Sequence, residues 1–253
     1  PLKGKPINVA KESKTKIDGN SERRYIEAAT GLCRHVDFTK PENFKMLRVR
    51  RIILGADQDD DGFHIQGISI TLFRTLYPSV FEVYPDFLCI LSTPIVEIQH
   101  RRDEKRYLEF MTQHSYKQWL VEAPAKQRAL WKDPIYKKGL GTSSTKDAQR
   151  YFKDLASHIY AVSWTGDASD DAMRVMLGPS SDARKQALND KLDLTAEVDR
   201  HAPSVSVEDI MYKQVLLHSY ANCCRMLPGM DGFKTVQRMI MAYMGMHGPV
   251  ARS

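Results

Sequence analysis

Hydrophobic and polar positions change period repeatedly along this chain, and each change marks an element. Residues 1–19 are polar, rich in Lys, Gly, Pro and Ser, and predict an extended arm. Residues 21–33 place Tyr25, Ile26, Ala29 and Leu32 on one side of a helix. The run VRRIILGAD at 49–57 is compact, apolar and of strand length, and it ends in acid. FHIQGISITLFRTLYPSVF at 63–81 follows as a helix, with Pro78 near its end. FLCILSTPIVEIQ at 87–99 is β-rich, and Pro94 suits a bulge or an edge. KRYLEF at 105–110, PIYKK at 134–138 and HIYAVSW at 158–164 are further strand candidates. Ser144 with Asp147 three residues on is a capping-box pattern, opening a helix over 144–156. Residues 169–177 and 181–192 also look helical.

The polar stretch 193–206, with Pro203, predicts a linker. Ser206 and Asp209 then cap a helix whose apolar positions Val207, Met211 and Val215 recur every four residues. A last helical stretch covers 235–246. Helices interleaved with short strands predict the α/β class, a sheet flanked by helices.

At 253 residues the chain has room for one large domain or two smaller ones, at roughly 100–200 residues each. Apolar residues at 42% and charged residues at 27% exclude a disordered tail. No apolar run approaches membrane-spanning length, and no apolar core follows the basic N-terminus, which excludes a membrane span and a secretory signal. Four cysteines without a CxxC pair argue against a disulfide framework or a zinc site and for a reducing compartment. The net charge is +6, and residues 1–50 alone carry 12 basic and 6 acidic side chains. That localised excess fits a polyanionic partner, and equally a solvated basic segment.

The sharpest chemical signal is Asp57-Gln58-Asp59-Asp60-Asp61-Gly62. Two carboxylates about 4 Å apart repel by about 4 kcal/mol at an effective dielectric of about 20. A hard divalent cation relieves that repulsion through oxygen ligands. The spacing also opens a calcium EF-hand loop, but the twelfth position is Ile68 where a bidentate Glu is needed, and a strand precedes it. A carboxylate cluster at a strand end, ahead of a helix, suits Mg²⁺ shared with a phosphate, or else a solvated acidic turn.

A second cluster, Tyr136 to Ser144, brings two lysines, two glycines and three hydroxyls ahead of a helix. It is no Walker A loop, and fits either a phosphate site or a plain Gly-rich turn. There is no GxSxG and no HExxH. His64, near the acidic turn, suits either a metal- or phosphate-facing role or a cap.

Five blocks in order resemble the TOPRIM region of type IIA DNA topoisomerases. PLKGKPINV resembles PLRGKxLNV, DQDDDGFHIQG resembles DQDQDGSHIKG, and STPIV resembles TPIVK. YKKGLGTSSTKDAQRYF resembles YYKGLGTSTxxEAKEYF, and CRMLPGMDGFKTVQR is similar to RSIPxxxDGLKPxQRK at the start of the neighbouring winged-helix domain. The resemblance implies a Rossmann-like TOPRIM domain with a mostly parallel sheet over 1–192, a linker at 193–206 and the helical start of a winged-helix domain over 207–253.

It further implies an ATP-dependent DNA topoisomerase that cuts and rejoins both strands of double-stranded DNA. Asp57 and Asp59 would be Mg²⁺ ligands and Asp61 would support or share that role. The matched blocks make DNA-binding candidates of Lys3, Lys5, His64, Lys138, Gly139, Gly141, Lys234, Gln237 and Arg238. The family's third metal carboxylate lies in an EGDSA motif upstream of PLRGK, and its nucleophilic tyrosine follows Pro-Arg. Arg-Tyr occurs here at 24–25, 106–107 and 150–151, never after Pro. The chain therefore reads as part of a larger homodimeric enzyme, inactive alone, with ATP bound elsewhere and no membrane partner. Its setting would be nuclear in a eukaryote, or a virion or host cell for a virus.

Departures fall at Gln66 for the HIKG lysine, Phe63 for its preceding serine, Met226-Leu227 for the serine and isoleucine of RSIP, and Met239 for the final lysine of QRK. A TOPRIM primase or nuclease, and a non-catalytic DNA-binding module, are the alternatives. A primase or nuclease lacks the KGLGTSS block, and a module has no use for Asp57 and Asp59.

Overall fold

The computed structural model describes residues 4–137, 139–200, 202–226 and 231–248. Lys3 and Lys138, two of the expected DNA-binding residues, lie outside them. The chain opens with α1 (Lys14–Gly19) and α2 (Ser21–Thr30), so the expected arm turns helical from residue 14. Asn20 caps α2, its side chain accepting the Arg23 amide, and Gly31 ends it in the left-handed region at φ 77°. Tyr25, expected on the buried side of α2, is 73% exposed, whereas Arg23 is buried. Arg23 reaches back to the Ile17 carbonyl and pairs with Glu27 at 2.5 Å, which satisfies a guanidinium inside the fold.

β1 (Ile52–Leu54) leads into α3 (Asp60–Leu76). The expected helix over 63–81 breaks at Tyr77, because Pro78 disfavours helical geometry in the residue before it, and α4 (Pro78–Val83) restarts there. β2 (Leu88–Leu91) and β3 (Val96–Gln99) then join different sheets, with Pro94 in the crossing between them. β4 (Tyr107–Phe110), α5 (Gln113–Glu122), α6 (Ala125–Arg128) and β5 (Ile135–Tyr136) follow. Next come α7 (Thr145–Lys153), β6 (Ile159–Ser163), α8 (Asp167–Leu177), α9 (Ser181–Lys191) and β7 (Ser204–Ser206). The expected capping box of α7 is formed in both directions by Ser144 and Asp147.

The main sheet has the order β1-β2-β6-β7. β1 pairs parallel to β2, with Ile53 opposite Cys89, and β6 pairs parallel to β7, while β2 and β6 are antiparallel. The α/β reading with a parallel-containing sheet is therefore borne out. A second sheet, β4-β3-β5, is antiparallel throughout and has its own small core of Val96, Ile98, Tyr116 and Trp131.

One continuous helix covers 207–224: α10 (Val207–Ile210), a π-helical turn at Met211–Val215, and α11 (Leu216–Cys224). The four-residue spacing seen in the sequence has a direct consequence here. Val207, Met211 and Val215, each at most 1% exposed, pack in the same core as Ile70 and Leu72 of α3. The polar stretch 193–206 consequently does not separate two cores. It supplies β7 to the main sheet and buries Val198 and Arg200. α12 (Thr235–His247) closes the description, with Val236, Met239 and Met246 exposed. No helix among the described residues is long and apolar enough to cross a membrane.

Candidate functional site

Several of the expected site residues converge on the N-terminus of α3. Four residues separate the C-terminal end of β1 from the helix cap, Asp59. The Asp59 Oδ1 accepts the Gly62 amide at 2.7 Å, which satisfies one of the free donors of the first turn. Asp60 and Asp61 occupy that turn, where the helix dipole favours negative charge. Gly62 is required by packing, since a Cβ there would lie 1.9 Å from the Asp57 carbonyl oxygen.

The four carboxylates have different fates. Gly139 lies against Asp57: a Cβ at 139 would come within 2.6 Å of the Asp57 Cγ. The acidic turn and the Gly-rich block, about eighty residues apart in sequence, thus meet at one carboxylate. Asp60 turns inward, and burial raises its carboxyl above the ordinary value. It lines a cavity of about 260 Å³ with Phe63, Arg200 and Gln214. Asp61 is held by Lys5, whose Nζ donates to Oδ1 at 3.0 Å, with His218 Nδ1 at 3.6 Å and Arg225 Nη1 at 3.5 Å. The Lys5 hydrogen bond is the main reason the Asp61 carboxyl sits below its usual value.

His64 stacks on His218 with ring centroids 4.1 Å apart, and its Nδ1 lies 3.2 Å from Lys5 Nζ. Burial first, then the His218 and Lys5 charges, lower its pKa to about 4, so its ring is neutral near pH 7 and takes the lysine proton donor at Nδ1. His218 is lowered in the same direction by burial and by Lys5.

The other expected residues lie apart. Gly141 has open space where a Cβ would go, unlike Gly139. Lys234, Gln237 and Arg238 form a unit of their own at the start of α12. The Lys234 amide donates to Gln237 Oε1 at 2.9 Å, and Arg238 grips Asp231 with two hydrogen bonds of 2.8 and 2.9 Å. Asp231 is thereby lowered to about 2. Among the described residues none of the three bonds to the acidic turn. Gln66, which replaces a lysine of the resembled motif, is 1% exposed in the wall of a cavity of about 650 Å³ between β1, α2 and α3.

Among the described residues no group of three or more His, Cys, Asp or Glu side chains is arranged to hold a metal ion. The donor set fits a smaller demand. Mg²⁺ commonly takes one or two protein carboxylates and completes its shell with water and phosphate. Asp57 and Asp59 line one cavity wall, and the Asp59 cap bond uses only one of its oxygens. Asp61 lines the same wall and is held by Lys5.

Two participants lay outside the sequence candidates. His218 belongs to no motif and reaches Asp61 only because the 207–224 helix packs on α3. Arg225 sits in the last matched block, beside the Met226-Leu227 departure, and only the fold brings it to Asp61.

The chain is similar to known proteins over nearly its whole length. Residues 91–223 match the family described as the C-terminal associated domain of TOPRIM. DNA topoisomerase 2 of Arabidopsis thaliana is 32% identical over 243 residues, covering 95% of this chain and 16% of the relative. DNA topoisomerase 2 of Saccharomyces cerevisiae is 30% identical, with the same coverage of 95% and 16%. A crystal structure of the Plasmodium falciparum topoisomerase II DNA-binding, cleavage and re-ligation domain superposes with a TM-score of 0.76 at 29% identity, covering 99% of this chain and 33% of that one. The chain thus spans about a sixth of the length of those curated relatives (16%), and the resemblance to type II topoisomerases read from the five blocks is borne out.

Proposed function

The chain belongs to the family of C-terminal associated domains of TOPRIM, and from that premise we propose that it is part of the DNA-cleavage core of an ATP-dependent type II DNA topoisomerase. One observation carries the reading. Blocks far apart in sequence meet at one end of α3: Lys5 on Asp61 at 3.0 Å, Gly139 against Asp57, and Arg225 at 3.5 Å from Asp61. A merely acidic turn has no reason to gather both a glycine loop and a basic row.

Asp57 and Asp59 would hold Mg²⁺, which would neutralise a DNA phosphate and stabilise a departing sugar oxygen. The remaining work falls to the chain's own groups. The Asp59 cap bond fixes its carboxylate relative to the helix. Lys5, Arg225 and the neutral His64–His218 pair present donors beside it, to engage phosphate oxygens without reading bases. Asp61 keeps these cations gathered in the absence of DNA. The nucleophilic tyrosine and ATP hydrolysis would come from residues other than these 253, and the whole enzyme would work as a homodimer. Lys3 and Lys138 would add to the basic row, Lys234, Gln237 and Arg238 would face DNA from the start of a winged-helix domain, and the setting would be nuclear.

The test is a calorimetric Mg²⁺ titration of the chain and of Asp57→Ala/Asp59→Ala, followed by duplex binding in Mg²⁺. Weak binding that disappears in the double variant is expected. Equal Mg²⁺ binding by both proteins would remove the carboxylate pair from the site.

A further inference from the structure

A closed set of buried charges lies behind the Gly139 loop, outside the acidic turn. Lys137, whose side chain is 9% exposed, donates to Asp147 Oδ2 at 2.7 Å and lies 3.4 Å from Glu97 Oε2. Burial works against its charged form, but the hydrogen bond to Asp147 and the charge of Glu97 outweigh burial and raise its pKa. Glu97, 2% exposed at its side chain between the buried Val96 and Ile98 of β3, also takes Arg150 Nη2 and the Tyr151 hydroxyl, both at 2.5 Å. Arg150 extends the set to Glu109 at 2.8 Å.

The connectivity is more specific than stabilisation needs. The same Asp147 Oδ2 that takes Lys137 also accepts the Ser144 amide at 2.8 Å and the Ser144 hydroxyl at 2.9 Å. One carboxylate oxygen therefore pins both ends of the 137–144 loop. Inside the loop, the Thr142 amide and hydroxyl both donate to the Gly139 carbonyl, at 3.0 and 2.7 Å. Gly139 is the described residue of this loop that lies against the acidic turn, on Asp57.

We propose that Lys137, clamped between Asp147 and Glu97, is a positioning residue for the cation site: it fixes the 137–144 loop and thereby the Asp57 carboxylate. The inference rests on the reading of Asp57 and Asp59 as cation ligands. Groups that orient ligating carboxylates typically cost 10–100-fold in metal affinity when removed, roughly the range expected here.

The test uses the 253-residue chain in two measurements. Mg²⁺ affinity is read by calorimetry for wild type, Lys137→Met, Lys137→Arg, Asp57→Ala and Asp57→Ala/Lys137→Met. Hydrogen exchange of the Thr142 amide, which donates to the Gly139 carbonyl, is read by NMR without metal. Lys137→Met is expected to weaken Mg²⁺ by about 10–100-fold, Lys137→Arg to recover most of that, and Lys137→Met to change nothing further once Asp57 is Ala. Thr142 exchange should quicken in Lys137→Met. If that variant does not fold, Lys137→Met/Glu97→Gln removes one charge of each sign and carries the same expectations. Unchanged Thr142 exchange in a folded variant overturns the proposal, as does equal weakening with and without Asp57. Equal Mg²⁺ binding by wild type and Asp57→Ala would instead sink the cation reading, leaving Thr142 exchange to decide the role of Lys137.

Discussion

Replacing Gly139 by alanine is the smallest perturbation that reaches the acidic turn without replacing a carboxylate. The added Cβ would stand 2.6 Å from both Cγ and Oδ1 of Asp57 and 2.9 Å from Oδ2. Ordinary contact between such atoms begins at about 3.5 Å, so loop and carboxylate must part by roughly 0.9 Å. Metal–ligand distances tolerate only about 0.2 Å. The required displacement is several times that tolerance, and the loop cannot absorb it freely because both its ends are tied to Asp147. A 10–100-fold loss of Mg²⁺ affinity is expected, about 1.4–2.7 kcal/mol at 1.36 kcal/mol per factor of ten. Gly141→Ala supplies the control, since a Cβ there meets nothing within 4 Å. Calorimetric titration of the three proteins in one low-salt buffer measures the difference. Equal Mg²⁺ affinity of Gly139→Ala and Gly141→Ala would refute the claim that the glycine loop shapes the site.

Two further outcomes follow from the basic row. NMR titration of the His64 ring should give a midpoint near the depressed value of about 4. The unfolded chain then binds that proton first as pH falls below the ordinary 6.5, so His64 makes folding stability rise with pH between about 4 and 6.5. A His64→Gln variant should lose that part of the slope in urea unfolding, and an unchanged slope contradicts the burial argument. Duplex binding should be independent of sequence and steeply salt-sensitive, with each lost phosphate contact flattening the log–log slope by about 0.9. Arg225→Ala should flatten it, and a strong preference for one duplex sequence would contradict backbone recognition.

The sequence showed those parts of the fold whose cause is local. The capping box at Ser144 and Asp147, the strand-to-helix step at the acidic turn, and the four-residue apolar spacing from Val207 all reappear. What stayed hidden depends on distant partners. β7 is three residues long, too short for a visible alternation, and exists because β6 offers it an edge. α5 has a weak apolar face, and its one local mark is the Thr112 side chain accepting the Ser115 amide. Glu97 appears as a lone acid in a strand, and only the fold supplies the lysine, arginine and tyrosine that make its burial tolerable. The same holds at the site. The acidic turn was legible by its spacing, but His218 reaches Asp61 by packing of a helix more than 150 residues away.

The run of four acids also shows why composition alone over-reads a metal cage. A helix turns its side chains by about 100° per residue, so consecutive acids in a first turn cannot share one focus. Asp59 stays outside the helix as its cap, Asp60 rotates toward the cavity it shares with Phe63 and Arg200, and Asp61 rotates toward Lys5. The turn before the helix leaves Asp57 under Gly139, on the same cavity wall as Asp59. Repulsion within the run is relieved by this dispersal, with the helix dipole and the Lys5 and Arg225 charges taking a share. On the proposed reading the cation goes to Asp57 and Asp59, the pair two residues apart that straddles the end of the loop and the start of the helix. That pair would be too few to saturate Mg²⁺, which is the condition for a phosphate to complete the shell.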